Sequence, residues 1–140
     1  MSVLRADTVT FACQKNTEVY VDGNLTLTGT YQHLKTASVE NADGPCLLAF
    51  KTGRYNWKIV GSTSTGVVTD GSWKCIRQCN SFPSGWYSSP DFDDSSWSQA
   101  RVLAPNNGTT YNLINEVSTD AKWIWHQENL SGMCCRKTLC

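Results

Sequence analysis

An excess of charge of either sign is missing from this sequence. Its 140 residues include 12 basic and 12 acidic side chains, which gives a formal net charge of zero, and no run of lysine or arginine occurs. A nucleic-acid interface requires a basic face, and an anionic membrane attracts a basic amphipathic helix. No apolar stretch approaches the length that spans a bilayer. The composition therefore argues against a nucleic-acid partner and against insertion into a membrane.

Catalytic motifs are missing as well. The two histidines, His33 and His126, have no nucleophile motif beside them, and no phosphate-binding glycine loop occurs. Asp91, Asp93 and Asp94 lie on one turn, so they cannot flank a glycosidic bond from opposite sides as the carboxylate pair of a glycosidase does. We therefore expect a protein that binds its target and is not an enzyme.

A sustained 3.6-residue apolar period, the sign of a packed helix, is also absent. The chain has instead short β-prone segments between turns. Apolar and polar residues alternate on both sides of Asp22-Gly23, which predicts a β-hairpin, and residues 47–50 (LLAF) predict a strand buried on both faces. Further strands are predicted at 8–13, 123–125 and 133–139. The pattern predicts one all-β domain over residues 1–140, an antiparallel sandwich or barrel.

Seven cysteines favour disulfide bonds formed in an oxidising compartment, because short secreted chains use cysteine in this way. A zinc site at Cys75, Cys79, Cys134 and Cys135 is the alternative, although adjacent cysteines make awkward co-ligands. An odd number leaves at least one sulfur without a partner in the chain, and Cys140 is the candidate for an intermolecular bridge in a homodimer. Three N-glycosylation sequons also suit a secreted protein. They begin at Asn24, Asn107 and Asn129.

Five segments, in this order along the chain, resemble a known family. They are 11–23 (FACQKNTEVYVDG), 69–74 (TDGSWK), 85–100 (GW, then FDDSSW, then alanine), 121–125 (AKWIW) and 135–139 (CRKTL). Together they resemble the galactose-binding-domain-like β-sandwiches, which include carbohydrate-binding modules, lectins of lower animals and non-catalytic appendages of glycosidases. The resemblance implies an antiparallel jelly-roll β-sandwich. Cys134-Cys135 stands where that family has an aromatic step, and fold alone does not fix function.

The resemblance also implies a disulfide pattern. It pairs Cys75 with Cys135 near the closing strand. Neighbouring strands would pair Cys13 with Cys46, and Cys79 with Cys134 would be the third bond. Six cysteines allow many other connectivities, so the sequence leaves them open.

Aromatic residues in loops are the better candidates for sugar contacts, because the C–H faces of sugars stack on exposed rings. Residues 86–97 hold four aromatic side chains around a polar turn. Trp73 and Trp97 match structural positions of the family, and we expect Phe92 and Trp97 to hold the turn to the sandwich. We expect Trp86, Tyr87 and Asp91 to form the exposed side of the segment, where a sugar would bind. A purely structural clamp is the alternative for the same residues.

Polar loop residues in the second half of the chain complete the candidate sites. Hydroxyl-rich ligands need carboxylates and amides, and Ca²⁺ needs several oxygen ligands at once. The predicted carbohydrate-binding residues are Trp86, Tyr87, Asp91, Asn106, Asn107, Glu128 and Asn129. The predicted metal ligands are Asp91, Asp93, Asp94, Asn115 and Glu116. Turn formation is the alternative role for these side chains, so the sequence leaves Ca²⁺ binding open.

The resemblance and the cysteines together predict a secreted lectin that binds terminal, galactose-like sugars, with or without Ca²⁺. A single shallow site binds weakly, so a dimer would be needed to cross-link glycans. The alternatives are an extracellular adhesive or structural module without a sugar site, and a carbohydrate-binding appendage of a glycosidase.

Overall fold

The computed structural model describes residues 5–13, 17–28, 33–41, 45–52, 58–77, 79–125 and 133–140. These residues form eleven strands, one 3-10 helix and one α-helical turn. The strands are β1 (Arg5–Cys13), β2 (Glu18–Val21), β3 (Asn24–Thr28), β4 (His33–Asn41), β5 (Leu47–Lys51), β6 (Val60–Thr63), β7 (Lys74–Ile76), β8 (Ser98–Gln99), β9 (Arg101–Pro105), β10 (Lys122–Trp125) and β11 (Cys134–Thr138). The 3-10 helix spans Cys79–Ser81, and the helical turn α1 spans Gly85–Ser88.

Antiparallel pairing arranges these strands in two layers. The first layer is a six-stranded sheet with the order β3-β2-β5-β11-β7-β8. The second layer has the order β4-β1-β6, and a bridge between Ile59 and Ile124 joins its β6 side to the β10-β9 pair. All strand pairs found in the described residues are antiparallel. The prediction of an all-β antiparallel fold is therefore confirmed.

The main core lies between the two layers. Alternation along β1 directs Val9 and Phe11 into it from the second layer, and alternation along β5 directs Leu48 and Phe50 into it from the six-stranded sheet. Phe11, Phe50 and Trp73 contact one another with ring centroids 5.5–6.4 Å apart. A core shared by two facing sheets makes the fold sandwich-like.

Each layer also has an outer face that a non-strand segment covers. On the six-stranded sheet, Ala49 packs against Trp86 of the segment 79–97. On the second layer, Val60 packs beneath the segment 106–121. Because both faces of β5 are covered, all four apolar residues of this strand are buried, as its continuous apolar run predicts.

The β2–β3 hairpin turns through the Asp-Gly step that the sequence indicated. Asp22 and Gly23 have φ angles of 49° and 85°, the left-handed region that this type of two-residue turn requires. The Asp22 carboxylate accepts hydrogen bonds from the backbone N–H groups of Cys46 and Leu47 at 2.8 and 3.0 Å. The turn residue thereby also fixes the start of β5, the neighbouring strand.

Two of the disulfides are the ones that the resemblance implied. Cys75 is bonded to Cys135 and Cys79 to Cys134, with Cα atoms 4.1 and 6.1 Å apart. Cys135 belongs to the main core, whereas Cys134 lies under the segment 79–97. The structure thus engages these four sulfurs in disulfides and not in a zinc site.

The third disulfide corrects two predictions. Cys46 is bonded to Cys140, with their Cα atoms 4.9 Å apart. The expected Cys13–Cys46 pair is therefore wrong, and Cys140 is not available for an intermolecular bridge. The reason is spatial: the backbone N–H of Leu139 donates to the carbonyl of Cys46 at 2.7 Å, which brings the chain end beside the start of β5.

A glycine in β6 allows the largest side chain of β1 to enter the core. Phe11 and Gly61 are opposite each other in the β1–β6 pair. A Cβ atom added at Gly61 would lie 2.2 Å from Cδ1 of the Phe11 ring. The ring therefore packs directly against the β6 backbone, and only glycine leaves room for it.

Candidate functional site

The segment 79–97 forms a covering layer on the outer face of the six-stranded sheet. Within it, α1 is one helical turn, in which successive side chains differ in direction by about 100°. Trp86 consequently points inward and is only 4% exposed, with its ring centroid 6.0 Å from that of Trp97. The expectation that Trp86 lies on the exposed side is therefore wrong. It anchors the segment, as Trp97 does.

Arg136 on β11 ties the same segment to the sheet. Its Nη1 donates to the carbonyl of Phe92 at 2.9 Å and to the carboxylate of Asp94 at 2.8 Å. Its Nη2 donates to the carbonyl of Ser89 at 2.6 Å. The Arg136 side chain is 1% exposed. A guanidinium buried to this degree requires such partners, so the course of residues 89–94 is fixed by one side chain.

A stacked pair of tyrosines lies at the edge of this layer. The ring centroids of Tyr20 and Tyr87 are 4.2 Å apart, with an interplanar angle of 24°. Both rings contact Trp86 edge to face, at 6.3 and 5.2 Å. Tyr20 and Tyr87 are both half-buried, so neither residue is fully covered by the fold.

A carboxylate accompanies the tyrosine pair. Glu18 and Tyr20 share the outer face of β2, whereas Val19 between them enters the core. The Tyr20 hydroxyl donates to Oε2 of Glu18 at 2.8 Å. Burial and this hydrogen bond raise the pKa of Tyr20 above its ordinary value, so the hydroxyl keeps its proton further into the alkaline range than a free tyrosine does. We refer to Glu18, Tyr20 and Tyr87 as the aromatic ledge.

Sequence reasoning placed Tyr87 in the site and missed Tyr20 and Glu18. A signal was present, because period-two alternation in the predicted hairpin directs both side chains away from the core. What the sequence did not show is that α1 folds against β2 at this point. A contact between Gly23 and Ser88 marks this approach: a Cβ at Gly23 would lie 3.0 Å from the Cβ of Ser88.

The three aspartates of the segment 79–97 have different environments. Asp91 is exposed, and Asp94 is paired with Arg136. Oδ1 of Asp93 accepts a hydrogen bond from the backbone N–H of Ser95 at 3.0 Å. Two hydrogen bonds from Ser95 lower the pKa of Asp93 below its ordinary value, and the bond from the Ser95 side chain has a larger effect than the bond from its backbone N–H. Two of the three predicted metal ligands here are thus engaged in holding the turn.

The predicted metal ligands do not converge in the structure. Asn115 and Glu116 are exposed on the segment 106–121, which covers the other layer and not the one that carries Asp91. Among the residues that the structure describes, no three His, Cys, Asp or Glu side chains are grouped as metal ligands would be. Ca²⁺ binding stays a prediction. Glu128 and Asn129, predicted to contact sugar, lie outside the described residues.

Asn106 and Asn107, both predicted to contact sugar, differ sharply. Asn106 is fully buried. Its Nδ2 donates to the carbonyls of Ile114, Val117 and Ser118 at 3.1–3.2 Å, and its Oδ1 accepts from the backbone N–H of Ile114 at 2.9 Å. Asn106 therefore organises the segment 106–121 and does not present its amide to a ligand. Asn107 is exposed, as a ligand contact requires.

A second aromatic cluster lies on the other layer. Nζ of Lys58 is 3.9 Å from the ring centroid of Tyr111 and 5.2 Å from that of Trp123. Tyr111 and Trp123 contact each other edge to face at 5.6 Å. Burial lowers the pKa of Lys58. Because a cation already lies over the Tyr111 ring, that face of the ring is not open to a sugar.

Comparison with known proteins found no match: no family model, no curated protein and no solved structure resembles the chain significantly. Within the described part of the chain, no helix has the length and apolarity needed to cross a bilayer. The three disulfides indicate folding in an oxidising compartment.

Proposed function

We propose that this chain is a secreted lectin of the galactose-binding-domain-like jelly-roll class and that its sugar site is the aromatic ledge. The stacked, half-exposed pair of Tyr20 and Tyr87 is the observation that carries the proposal. Terminal galactose-like sugars are the favoured ligands, because their apolar C–H face suits a tyrosine ring.

The rigidity of the ledge supports this role. Tyr20 is held by its bond to Glu18, by the stacked ring of Tyr87 and by the edge of Trp86. Trp86 is in turn buried against the six-stranded sheet. Rings that are fixed before the ligand arrives lose little conformational entropy on binding, which improves affinity at a small contact area.

Polar groups beside the rings supply the other half of a sugar site. Glu18 uses Oε2 for the Tyr20 hydroxyl, and a carboxylate has further lone pairs that can accept from sugar hydroxyls. Asp91, exposed on the same segment as Tyr87, is a second acceptor. Aromatic stacking combined with a few polar contacts is the usual composition of small-ligand sites.

Three further observations support the class. Five segments occur in the order of the galactose-binding-domain-like family, the core is shared by two antiparallel layers, and the disulfides suit secretion. The chemistry is binding and not catalysis. Cross-linking of glycans by a homodimer then depends on non-covalent contacts between copies, because Cys140 is bonded within the chain.

A glycan array with the full chain, probed with and without EDTA, tests the proposal. Wild-type protein is expected to bind a subset of glycans that end in galactose-type sugars. Tyr87→Ala is expected to weaken binding at least tenfold, and Tyr20→Phe, which keeps the ring and removes the donor, to weaken it less. Failure of folded wild-type protein to bind any glycan in either condition would overturn the lectin proposal.

Tyr111→Ala is the matched control, because Tyr111 is also a half-buried tyrosine but lies on the other layer. It is expected to leave glycan binding unchanged. Loss of binding in Tyr111→Ala alone would contradict the assignment of the site to the ledge. Binding that EDTA does not affect would contradict the separate prediction of Ca²⁺ binding at the sugar site and would leave the lectin proposal intact. Near-UV circular dichroism of each variant separates loss of the site from loss of the fold.

A further inference from the structure

Two of the three N-glycosylation sequons lie within the described residues, and both present an exposed asparagine. Asn24 begins β3, and Asn107 follows β9. We propose that Asn24 and Asn107 each carry an N-linked oligosaccharide. This inference requires passage through a secretory compartment, which is part of the proposed function, but it does not require the sugar-binding site.

Asn24 lies where a large modification is compatible with the fold. It follows Gly23 directly, on β3 at the edge of the six-stranded sheet. The hydroxyl of Thr26, the third residue of the sequon, donates to the backbone carbonyl of Asn24 at 2.9 Å, so this bond leaves the side-chain amide unused. The neighbouring Leu25 is 54% exposed, so this end of β3 is open to solvent.

Asn107 lies in a turn whose hydrogen bonds use its side-chain oxygen and not its side-chain nitrogen. Its Oδ1 accepts from the backbone N–H of Thr109 at 3.0 Å and from the Thr109 hydroxyl at 2.6 Å. Gly108 between them has a φ of 83°. Both bonds use Oδ1, and the atom that would be modified, Nδ2, takes part in neither.

The transfer of the oligosaccharide to asparagine forms one bond and breaks one bond. The Nδ2 atom forms a bond to the anomeric carbon of an oligosaccharide carried on a polyprenyl pyrophosphate, which the secretory pathway supplies. The bond between that carbon and the pyrophosphate oxygen breaks, and the lipid pyrophosphate leaves with the electron pair. The amide nitrogen loses one proton. The product is an uncharged, bulky, solvated group at the surface.

The two glycans would lie on different parts of the molecule. Asn24 belongs to β3, the edge strand of the six-stranded sheet. Asn107 belongs to the segment that covers the other layer. Glycan arrays are therefore best run with both glycosylated and enzymatically deglycosylated protein.

Expression of the full chain behind a cleavable secretion signal in eukaryotic cells tests the assignment. The secreted protein is treated with a peptide N-glycosidase in heavy-oxygen water, and intact mass and peptides are measured. Heavy oxygen excludes deamidation that occurred at Asn107-Gly108 before the assay, and a sample kept in heavy-oxygen water without the glycosidase measures spontaneous deamidation during it. Asn24→Gln and Asn107→Gln are each expected to lose one glycan. Thr26→Ser and Thr109→Ser keep the acceptor sequence and are expected to retain it.

The assignment is overturned at either position if the Gln variant keeps the wild-type number of glycans or if that position incorporates no heavy oxygen. A wild-type mass that the glycosidase leaves unchanged overturns both. If a Gln variant is not secreted, the peptide map of the wild-type protein still decides, because it reports each position separately. Asn106 is buried and does not begin a sequon, so it serves as the internal negative control.

Discussion

At the scale of single residues, burial and hydrogen bonding decide which polar side chains are structural. Asn106 and Asn107 are identical neighbours in the sequence, yet one has every polar atom of its amide bonded inside a loop and the other is exposed. The sequence showed only an asparagine-rich loop, so it assigned both to the sugar site. Which amide turns inward depends on the loop closing around the carbonyls of residues 114–118, a contact that no local pattern encodes.

Replacing the buried amide is expected to be costly, and replacing the exposed one is not. Asn106→Ala should lower the free energy of unfolding by about 2–3 kcal/mol, because it leaves buried carbonyls and an N–H without a partner. Asn107→Ala should change it by less than about 0.5 kcal/mol. Urea unfolding with the disulfides intact measures both. Equal effects of the two substitutions would contradict the role assigned to Asn106.

Ser95 is expected to control the ionisation of Asp93. Because its hydrogen bonds lower the pKa of Asp93 in the folded state, the carboxylate favours folding at pH values above the unfolded-state pKa. That contribution is lost as the pH falls through the lower, folded-state pKa. Ser95→Ala should therefore raise the pKa of Asp93 towards its ordinary value, and Ser96→Ala should leave it unchanged. Side-chain NMR titration of Asp93 measures this, and an unshifted titration in Ser95→Ala would refute the assigned cause.

At the scale of elements, strands and turns with a local sequence signal were predicted, whereas strands that depend on pairing with distant segments were not. The β2–β3 hairpin was predicted because Asp22 and Gly23 tolerate positive φ, and β5 because its apolar run is continuous. The nine residues of β4 show no regular alternation of apolar and polar residues, and they form a strand by pairing with β1. Residues 96–103 carry no clear local signal, and they form β8 and part of β9.

The β1–β6 contact gives a prediction at this scale. Gly61→Ala should lower the free energy of unfolding by about 1–3 kcal/mol, because the new methyl group meets the Phe11 ring and the core must shift. Gly71→Ala is the matched control, since its Cβ would lie 3.5 Å from Cγ2 of Val102, an ordinary contact. Thermal or urea unfolding compares the two. A Gly61→Ala variant as stable as Gly71→Ala would show that the ring does not pack against β6.

At the scale of the whole molecule, the disulfides connect parts of the chain that are far apart in sequence. Two of the three pairs followed from the family resemblance. The third did not, because Cys46 and Cys140 are separated by 94 positions and meet only when the chain end reaches β5. The sequence could count the cysteines and infer the compartment, but the partner of Cys46 depends on the assembled sheet.

Removing the third disulfide is expected to destabilise the fold, and this bond does not link two copies of the chain covalently. The double variant Cys46→Ala/Cys140→Ala should lose about 2–5 kcal/mol of stability, because the bond closes a long loop in the unfolded chain. Non-reducing electrophoresis of wild-type protein should show a monomer. A reductant-sensitive dimer would contradict this, and its disappearance in Cys13→Ala would assign the bridge to the seventh cysteine.

The disulfide partners of the adjacent cysteines of β11 depend on the register of this strand in the sheet. A slip of one residue in the pairing of β11 would turn Cys134 towards the core, Cys135 outward and Arg136 into an apolar interior. The native pairs, Cys75–Cys135 and Cys79–Cys134, are therefore accessible only when β11 is in its correct alignment with β7. A disulfide map of refolded protein consequently reports strand alignment, and exchange of partners between these two bonds would identify the slipped sheet.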